Sequence, residues 1–168
     1  MKNKWTVVVF FLTFILACIF SVIATFLGNL NNYFLVVATL VVIMIGIVFD
    51  VIGTAVLSCD IKVFHSKASQ KIRGSKQAVN LAKNASRVSS VCNDVIGDIC
   101  GIISGSLSAV LVINLFSSNV TFANVIVSAT LSSLTVGGKA LGKAYAISNA
   151  NVIVFKTGKF LSNFTRKR

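Results

Sequence analysis

The sequence predicts an all-α integral membrane protein with about four transmembrane or re-entrant helices. Its composition is 55% hydrophobic and only 12% charged, with a mean hydropathy of +0.88. Such a composition leaves too little polar surface to cover a soluble domain of 168 residues. All sixteen Lys and Arg residues lie in three zones, residues 2–4, 62–87 and 139–168, separated by long apolar stretches. We therefore expect a single membrane domain.

The same charge pattern predicts the orientation of the chain. Two uncharged segments, 28–32 and 116–124, alternate with the three basic zones. Cytoplasmic loops of membrane proteins carry an excess of Lys and Arg, so both termini are expected in the cytoplasm and the uncharged segments outside. The abundance of Lys, Asn, Ile and Val favours a bacterial origin, so the expected location is the bacterial plasma membrane.

The net charge of +12 indicates anionic lipid headgroups as the partner, and not nucleic acid. The basic residues flank apolar spans, where they meet the negative inner leaflet. They also lack the interleaved aromatic residues of a single-strand-binding surface. No nucleic-acid binding is expected.

Four apolar stretches are candidates for membrane helices: 6–26, 33–58, 88–116 and 120–136. The first would be about 30 Å long, which matches the hydrocarbon core. A retained helix is favoured over a cleaved signal or a lipidated Cys18, because the apolar region is too long for a signal and no clear cleavage site follows. The fourth is short and rich in hydroxyls, so it either spans the bilayer inside a bundle or re-enters.

Two basic segments are predicted to lie at the inner membrane face. Residues 60–87 suit one or two short amphipathic helices broken near Gly74. The pair Gly137-Gly138 is expected to end the fourth helix, and the tail 139–168 mixes basic and aromatic residues as interfacial segments do.

Three aspartates lie in or beside the apolar spans. Asp50 interrupts the second span near its inner end, and Asp94 and Asp98 share one face of a helix. Charged groups at mid-bilayer are costly and usually face a bundle interior or a wet cavity. Alternatively, the third span begins near Ile99, and Asp94 and Asp98 are first-turn residues that favour the positive helix N-terminus. The sequence leaves both interpretations open.

Several absences make an enzyme improbable. The chain has no Glu, no Walker-type loop and a single histidine, His65, so no Ser-His-Asp set is present. The four cysteines have no C-x-x-C spacing and lie mostly in or beside apolar runs, where a thiol acts as a small hydrophobe.

An ordered series of motifs resembles the transmembrane domain of the CorB/CorC and cyclin-M magnesium transporter family. That family has a helix ending like F-S-x-x-E-T-A-L-x-S, then a basic segment A-x-x-G-x-x-x-A-x-x-L-x-x-N-x-x-R, an Asn-bearing span and a final G-E-x-x-P-K-x-x-A. Here residues 49–58 read FDVIGTAVLS and residues 138–143 read GKALGK. Between them lie residues that follow the middle motifs: Ala68, Gly74, Ala78, Leu81, Asn84, Arg87, Ser90 and Asn93.

The resemblance implies a divalent-cation (Mg²⁺/Co²⁺) transporter and a homodimer. It also has departures, because Gly53 and Lys139 stand where the family has glutamates and Gly142 stands where it has proline. The 168 residues do not include the family's CBS pair.

We therefore predict an Mg²⁺ site that opens to the cytoplasm at the inner ends of the second and third spans. Mg²⁺ prefers oxygen ligands and keeps several waters, so a few side chains suffice. The predicted ligands are Asp50, Ser58, Ser90, Asn93, Asp94 and Asp98. The alternatives are a membrane scaffold or interaction subunit without transport, and a holin-like pore-forming protein.

Overall fold

A computed structural model describes residues 2–28, 31–115 and 120–165, and within these ranges it contains helices and no strands. The long helices are α1 (Lys2–Gly28), α2 (Asn32–Ser58), α6 (Gly97–Leu115) and α7 (Val120–Ser148). The shorter ones are α3 (Ile61–Ser69), α4 (Ser75–Lys83), α5 (Ala85–Ser89), a π-helical segment (Ser90–Ile96) and α8 (Ala150–Thr165). The all-α prediction is thus confirmed for the described residues.

Four helical stretches in the described ranges are long and apolar enough to cross a membrane: Trp5–Leu27, Asn32–Ser58, Ala85–Leu115 and Asn124–Ser148. The first two match the predicted spans within one or two residues. Helix α1 leaves Phe10, Phe14 and Phe26 more than half exposed, as expected of a helix that faces lipid. These four helices indicate a multi-pass membrane protein.

The third span begins earlier than predicted. Helical backbone starts at Ala85, continues through the π-helical segment and ends at Leu115. The α-helix at the end of this stretch, α6, begins at Gly97 and has Asp98 in its first turn, so both interpretations of the two aspartates stay open. Ser90 helps to explain why the polar start of this span is helical, because its hydroxyl donates to Asp94 one turn on, at 2.9 Å. The predicted end at Phe116 lies outside the described residues.

The fourth helix is longer than predicted. Gly137-Gly138 does not end it, and the helix runs to Ser148. Glycine ends a helix when it adopts a left-handed conformation, but Gly74 is the one described glycine with a positive φ. The residues after the pair, from Ala140 to Ala146, include good helix formers that outweigh the low helix propensity of glycine. The first part of the predicted tail thus belongs to α7, and the rest of its described residues lie largely in α8.

The contacts within the chain form two compact units. Unit 1 comprises Met1–Ile47 and Val95–Gly138, and unit 2 comprises Val48–Asp94 and Lys139–Arg168. Unit 1 is organised around one face of α6 and the residues just before it. Its core residues recur at every fourth position, which places them on one side of a helix: Val95, Ile99, Ile103, Leu107 and Leu111. Helix α1 packs against α6, and Leu35 of α2 joins the same core.

Unit 2 contains the basic segment, which forms α3 and α4 with a break at Gly74 as predicted. Gly74 has a φ of 90° and lies against the backbone of Lys159. Helices α3 and α8 both pack against α4. The core contains one large aromatic residue, Phe64, among small residues from α2, α4, α7 and α8. Where α8 meets α4, a side chain on Gly158 would collide with the backbone of Ala78 and Gly74, so α4 and α8 are in close contact.

Candidate cation site

Asp50 is a buried carboxylate in the C-terminal half of α2. Its side chain is 4% exposed, and its Oδ1 lies 3.7 Å from the Nζ of Lys143 on α7. The other oxygen, Oδ2, has no hydrogen-bond donor among the described residues. Asp50 lies about 12 Å from the end of its helix at 1.5 Å per residue. The carboxylate therefore lies well before the end of its helix, after which the basic segment begins.

An unpaired oxygen of this kind is unusual in a protein interior. Buried polar groups are nearly always hydrogen-bonded, and leaving one unsatisfied costs about 1–3 kcal/mol, and more for a charged group. Lys143 neutralises the charge, but its ammonium contacts only one carboxylate oxygen, and its side chain is about half exposed. Oδ2 is thus available to a second cation or to water.

A second unpaired oxygen lies next to the same face of α2. Asn93, in the π-helical segment, has its amide against Gly53, and its Oδ1 has no donor among the described residues. Its Nδ2 is 3.3 Å from the hydroxyl of Ser89, so the amide group is held with its oxygen towards Gly53. Gly53 follows Asp50 by three residues, which makes them neighbours on one helix face.

Gly53 is essential to this arrangement. A Cβ atom at this position would clash with Oδ1 of Asn93 and lie 2.8 Å from its Cγ. The resemblance to the magnesium transporters expects a glutamate here. In this chain the missing side chain leaves room for an amide oxygen, supplied by another helix. Asp50 and Asn93 thus place two oxygen acceptors beside adjacent turns of α2.

The other predicted ligands are placed differently. Ser90 and Asp94 form a hydrogen-bonded pair, and the Asp94 side chain is exposed. Ser58 is exposed at the end of α2, and Asp98 is exposed and belongs to unit 1. Of the six predicted residues, Asp50 and Asn93 lie next to the same helix face, and Ser90 and Asp94 form a separate pair.

Sequence reasoning missed two residues of this cluster. Lys143 was assigned to the interfacial tail, and Ser89 was not singled out. A carboxylate in an apolar helix does indicate that a cation lies nearby. The sequence gives no means of choosing that cation among sixteen basic residues.

The chemistry of the cluster suits a hard cation. Within the described ranges no three His, Cys or Asp side chains come together as a metal-binding group, so a soft-metal centre has no support here. Cys59, just after α2, is a poor thiolate ligand because burial raises the pKa of its thiol and the charge of Asp60 also raises it, although a backbone hydrogen bond opposes the shift. Oxygen atoms with coordinated water are the ligands that Mg²⁺ accepts.

No protein-family model, curated protein or solved structure matches this chain. The resemblance to the magnesium transporters therefore rests on the sequence motifs themselves.

Proposed function

We propose that the protein is a divalent-cation transporter-like membrane protein that binds Mg²⁺, or the similar Co²⁺, through oxygen atoms at the inner end of its second and third spans. The observation that carries this proposal is the presence of two buried, unpaired oxygen atoms, Asp50 Oδ2 and Asn93 Oδ1. They lie beside adjacent turns of one apolar helix. Each would regain a partner if a hydrated cation lay between or beside them.

Mg²⁺ fits a sparse site of this kind. It prefers octahedral oxygen coordination and usually keeps several waters, so one carboxylate and one amide oxygen contribute only part of the shell. Lys143 has a defined role in this proposal: its ammonium balances Asp50 when the site is empty. Because the lysine side chain is about half exposed, it can turn towards water as the ion arrives.

The proposed setting is a bacterial plasma membrane with both termini in the cytoplasm. The basic residues of unit 2 would then face anionic lipid headgroups. Asp50 and Asn93 would be reached from the cytoplasmic side. The resemblance to the magnesium transporters adds a homodimer to the proposal.

Binding is tested by thermal unfolding of the purified chain in detergent, with Mg²⁺ compared against NaCl of equal ionic strength. The melting temperature should rise by about 5–10 °C when Mg²⁺ exceeds its Kd about a hundredfold. Asp50→Asn should abolish this rise, because Asp50 is the one buried carboxylate among the described residues. Lys143→Met should strengthen the response, because it removes the competing ammonium.

Asp60→Asn is the matched control. Asp60 is an exposed carboxylate whose Oδ1 accepts from the backbone of Lys62 at 2.9 Å, and Asn caps helices as well as Asp does. This variant loses the same charge outside the site and should keep the full Mg²⁺ response. If Asp60→Asn and Asp50→Asn behave alike, the effect is general electrostatics and the proposed site is wrong.

Transport is tested by growth of a magnesium-transport-deficient bacterial host. The wild-type chain should restore growth at low Mg²⁺, whereas Asp50→Asn should not. Membrane levels of both proteins are measured in parallel, since a variant that fails to insert would give the same result. Equal membrane levels without rescue by the wild type would contradict transport.

A second function, that of a membrane scaffold without transport, is favoured by the contact between Asp50 and Lys143. A buried carboxylate that already has a cation can be purely structural. This alternative predicts that the double variant Asp50→Asn, Lys143→Met is as stable as the wild type, and that Mg²⁺ changes the stability of neither.

A further inference from the structure

The turn between α3 and α4 contains a cavity of about 570 Å³, separate from the site around Asp50. It is lined by the end of α3, the start of α4 and Ser162 of α8. Three of the lining residues are basic, Lys71, Arg73 and Lys76, and all three are exposed. None of the described residues that line it is acidic. The cavity is therefore a concentrated positive region with room for a small ligand.

The backbone of this turn is fixed by its own hydrogen bonds. The amide of Lys71 donates to the carbonyl of Ala68 at 3.0 Å, and that of Ile72 donates to Lys67 at 3.1 Å. This pair of bonds is the Schellman arrangement that ends many helices. Ser75 then donates to the carbonyl of Ile72 through both its amide and its hydroxyl. The cationic side chains thus project from a defined turn.

Lys71 occupies a backbone position that normally selects glycine. Its φ is 55°, which makes it the one described non-glycine residue with a positive φ. The Schellman arrangement favours glycine at this point because a Cβ atom is strained there. The same turn has glycine at position 74, where φ is also positive, but lysine at position 71. Strain of this kind is a reason to look for a function of the side chain.

Arg73 is held in place by α8. Its Nη2 donates to Oδ1 of Asn163 at 2.8 Å, which leaves other guanidinium donors for a ligand. Ser162, beside Asn163, is buried and lines the cavity, with its hydroxyl donating to the carbonyl of Lys159 at 2.7 Å. A guanidinium oriented in this way loses little freedom when it binds an oxyanion.

We infer that this cavity binds a phosphate group, held by Lys71, Arg73 and Lys76. Arg and Lys beside one another are the side chains that recognise phosphate oxygens. The start of α4, a nine-residue helix, adds the positive end of its dipole. The phosphate can be that of an anionic phospholipid headgroup or of a soluble ligand, and the experiment separates the two. The inference does not depend on the cation site.

The test uses the full chain in detergent, titrated with short-chain phosphatidylglycerol, short-chain phosphatidylcholine or inorganic phosphate and followed by native mass spectrometry. Lys71→Gln should weaken binding about tenfold, as expected for one lost charge-assisted hydrogen bond. Lys83→Gln is the matched control, because Lys83 is an exposed lysine at the end of α4 that does not line the cavity. This control should bind as the wild type does.

Lys71→Gly separates the role of the side chain from that of the backbone. It relieves the left-handed strain, so the melting temperature should be unchanged or higher, while binding should weaken as in Lys71→Gln. A variant that is more stable yet binds less cannot be explained by loss of folding. Saturable binding of phosphatidylglycerol, but not of inorganic phosphate or phosphatidylcholine, assigns the cavity to an anionic lipid. Binding of inorganic phosphate assigns it to a soluble ligand.

Two results would overturn the inference. One is the absence of saturable binding by all three probes. The other is an equal loss of binding in Lys71→Gln and Lys83→Gln, because it would show that the net positive charge attracts anions without a defined site. Asp50→Asn should leave phosphate binding unchanged. The experiments can therefore reject the phosphate site without rejecting the cation site, and the reverse.

Discussion

Gly53 is the residue on which the proposed cation site most directly depends. The absence of a side chain there allows the Asn93 amide to approach α2. A larger residue must displace Asn93 or separate the two segments. The position therefore couples local packing to the chemistry of an unpaired oxygen.

Gly53→Ala should destabilise the fold by about 1–3 kcal/mol, the usual cost of overpacking, and should also weaken the Mg²⁺ response. Thermal unfolding in detergent with and without Mg²⁺ measures both effects. Gly101→Ala is the control, since a Cβ there meets nothing within 4 Å. Adding Asn93→Ala to Gly53→Ala should recover part of the stability without the Mg²⁺ response. If Gly53→Ala were as stable as Gly101→Ala, the tight contact between Gly53 and Asn93 would be contradicted.

The sequence identified Asp50 because a carboxylate in an apolar run is conspicuous, and Asn93 because of the family resemblance. It could not identify Lys143 or the role of Gly53. Both depend on which helices meet in three dimensions, and roughly ninety residues separate Asp50 from its lysine. Local sequence patterns do not indicate which helices contact one another.

At the level of the helices, the length of an apolar run predicted where a helix ends better than the position of a glycine did. The second span was predicted almost to the residue because polar and charged residues adjoin it at both ends. The end of α7 was missed, because Gly137-Gly138 was taken as a stop. Glycine only weakens a helix by about 1 kcal/mol, and the residues that follow the pair sustain it.

Two glycines test this distinction between local weakness and close packing. Gly158→Ala should destabilise the fold by about 1–3 kcal/mol, because its Cβ would lie 2.8 Å from backbone atoms of α4 that cannot move aside. Gly137→Ala should stabilise α7 by about 0.5–1 kcal/mol, because a Cβ there meets nothing within 4 Å. Circular dichroism during heating gives both values. Similar melting temperatures for the two variants would refute the close contact between α4 and α8.

For the molecule as a whole, the four apolar helices support insertion into a bilayer, whereas the orientation is still a prediction from the charge pattern. It depends on where Lys and Arg lie along the chain. Positions 30 and 119, which lie in the two segments predicted to be external, are outside the described residues. The proposed access of ions from the cytoplasm requires this orientation.

The orientation is tested with single cysteines in a variant that lacks Cys18, Cys59, Cys92 and Cys100. Leu30→Cys and Asn119→Cys should react with a membrane-impermeant thiol reagent in intact cells. Lys83→Cys, in the basic segment, should react only after the membrane is permeabilised. The opposite pattern would invert the chain and place the proposed site on the outer side.

The contact between Asp50 and Lys143 also bears on how the protein is made. Asp50 leaves the ribosome roughly ninety residues before its lysine, a delay of about 5–20 s at ordinary rates of synthesis. During this interval α2 enters the bilayer without its partner cation, against an insertion cost of about 2.5–3.5 kcal/mol for a lone aspartate. The most apolar 18-residue stretch of α2 has a mean hydropathy of 2.9, which offsets this cost, so we expect α2 to insert before its counter-ion has been synthesised.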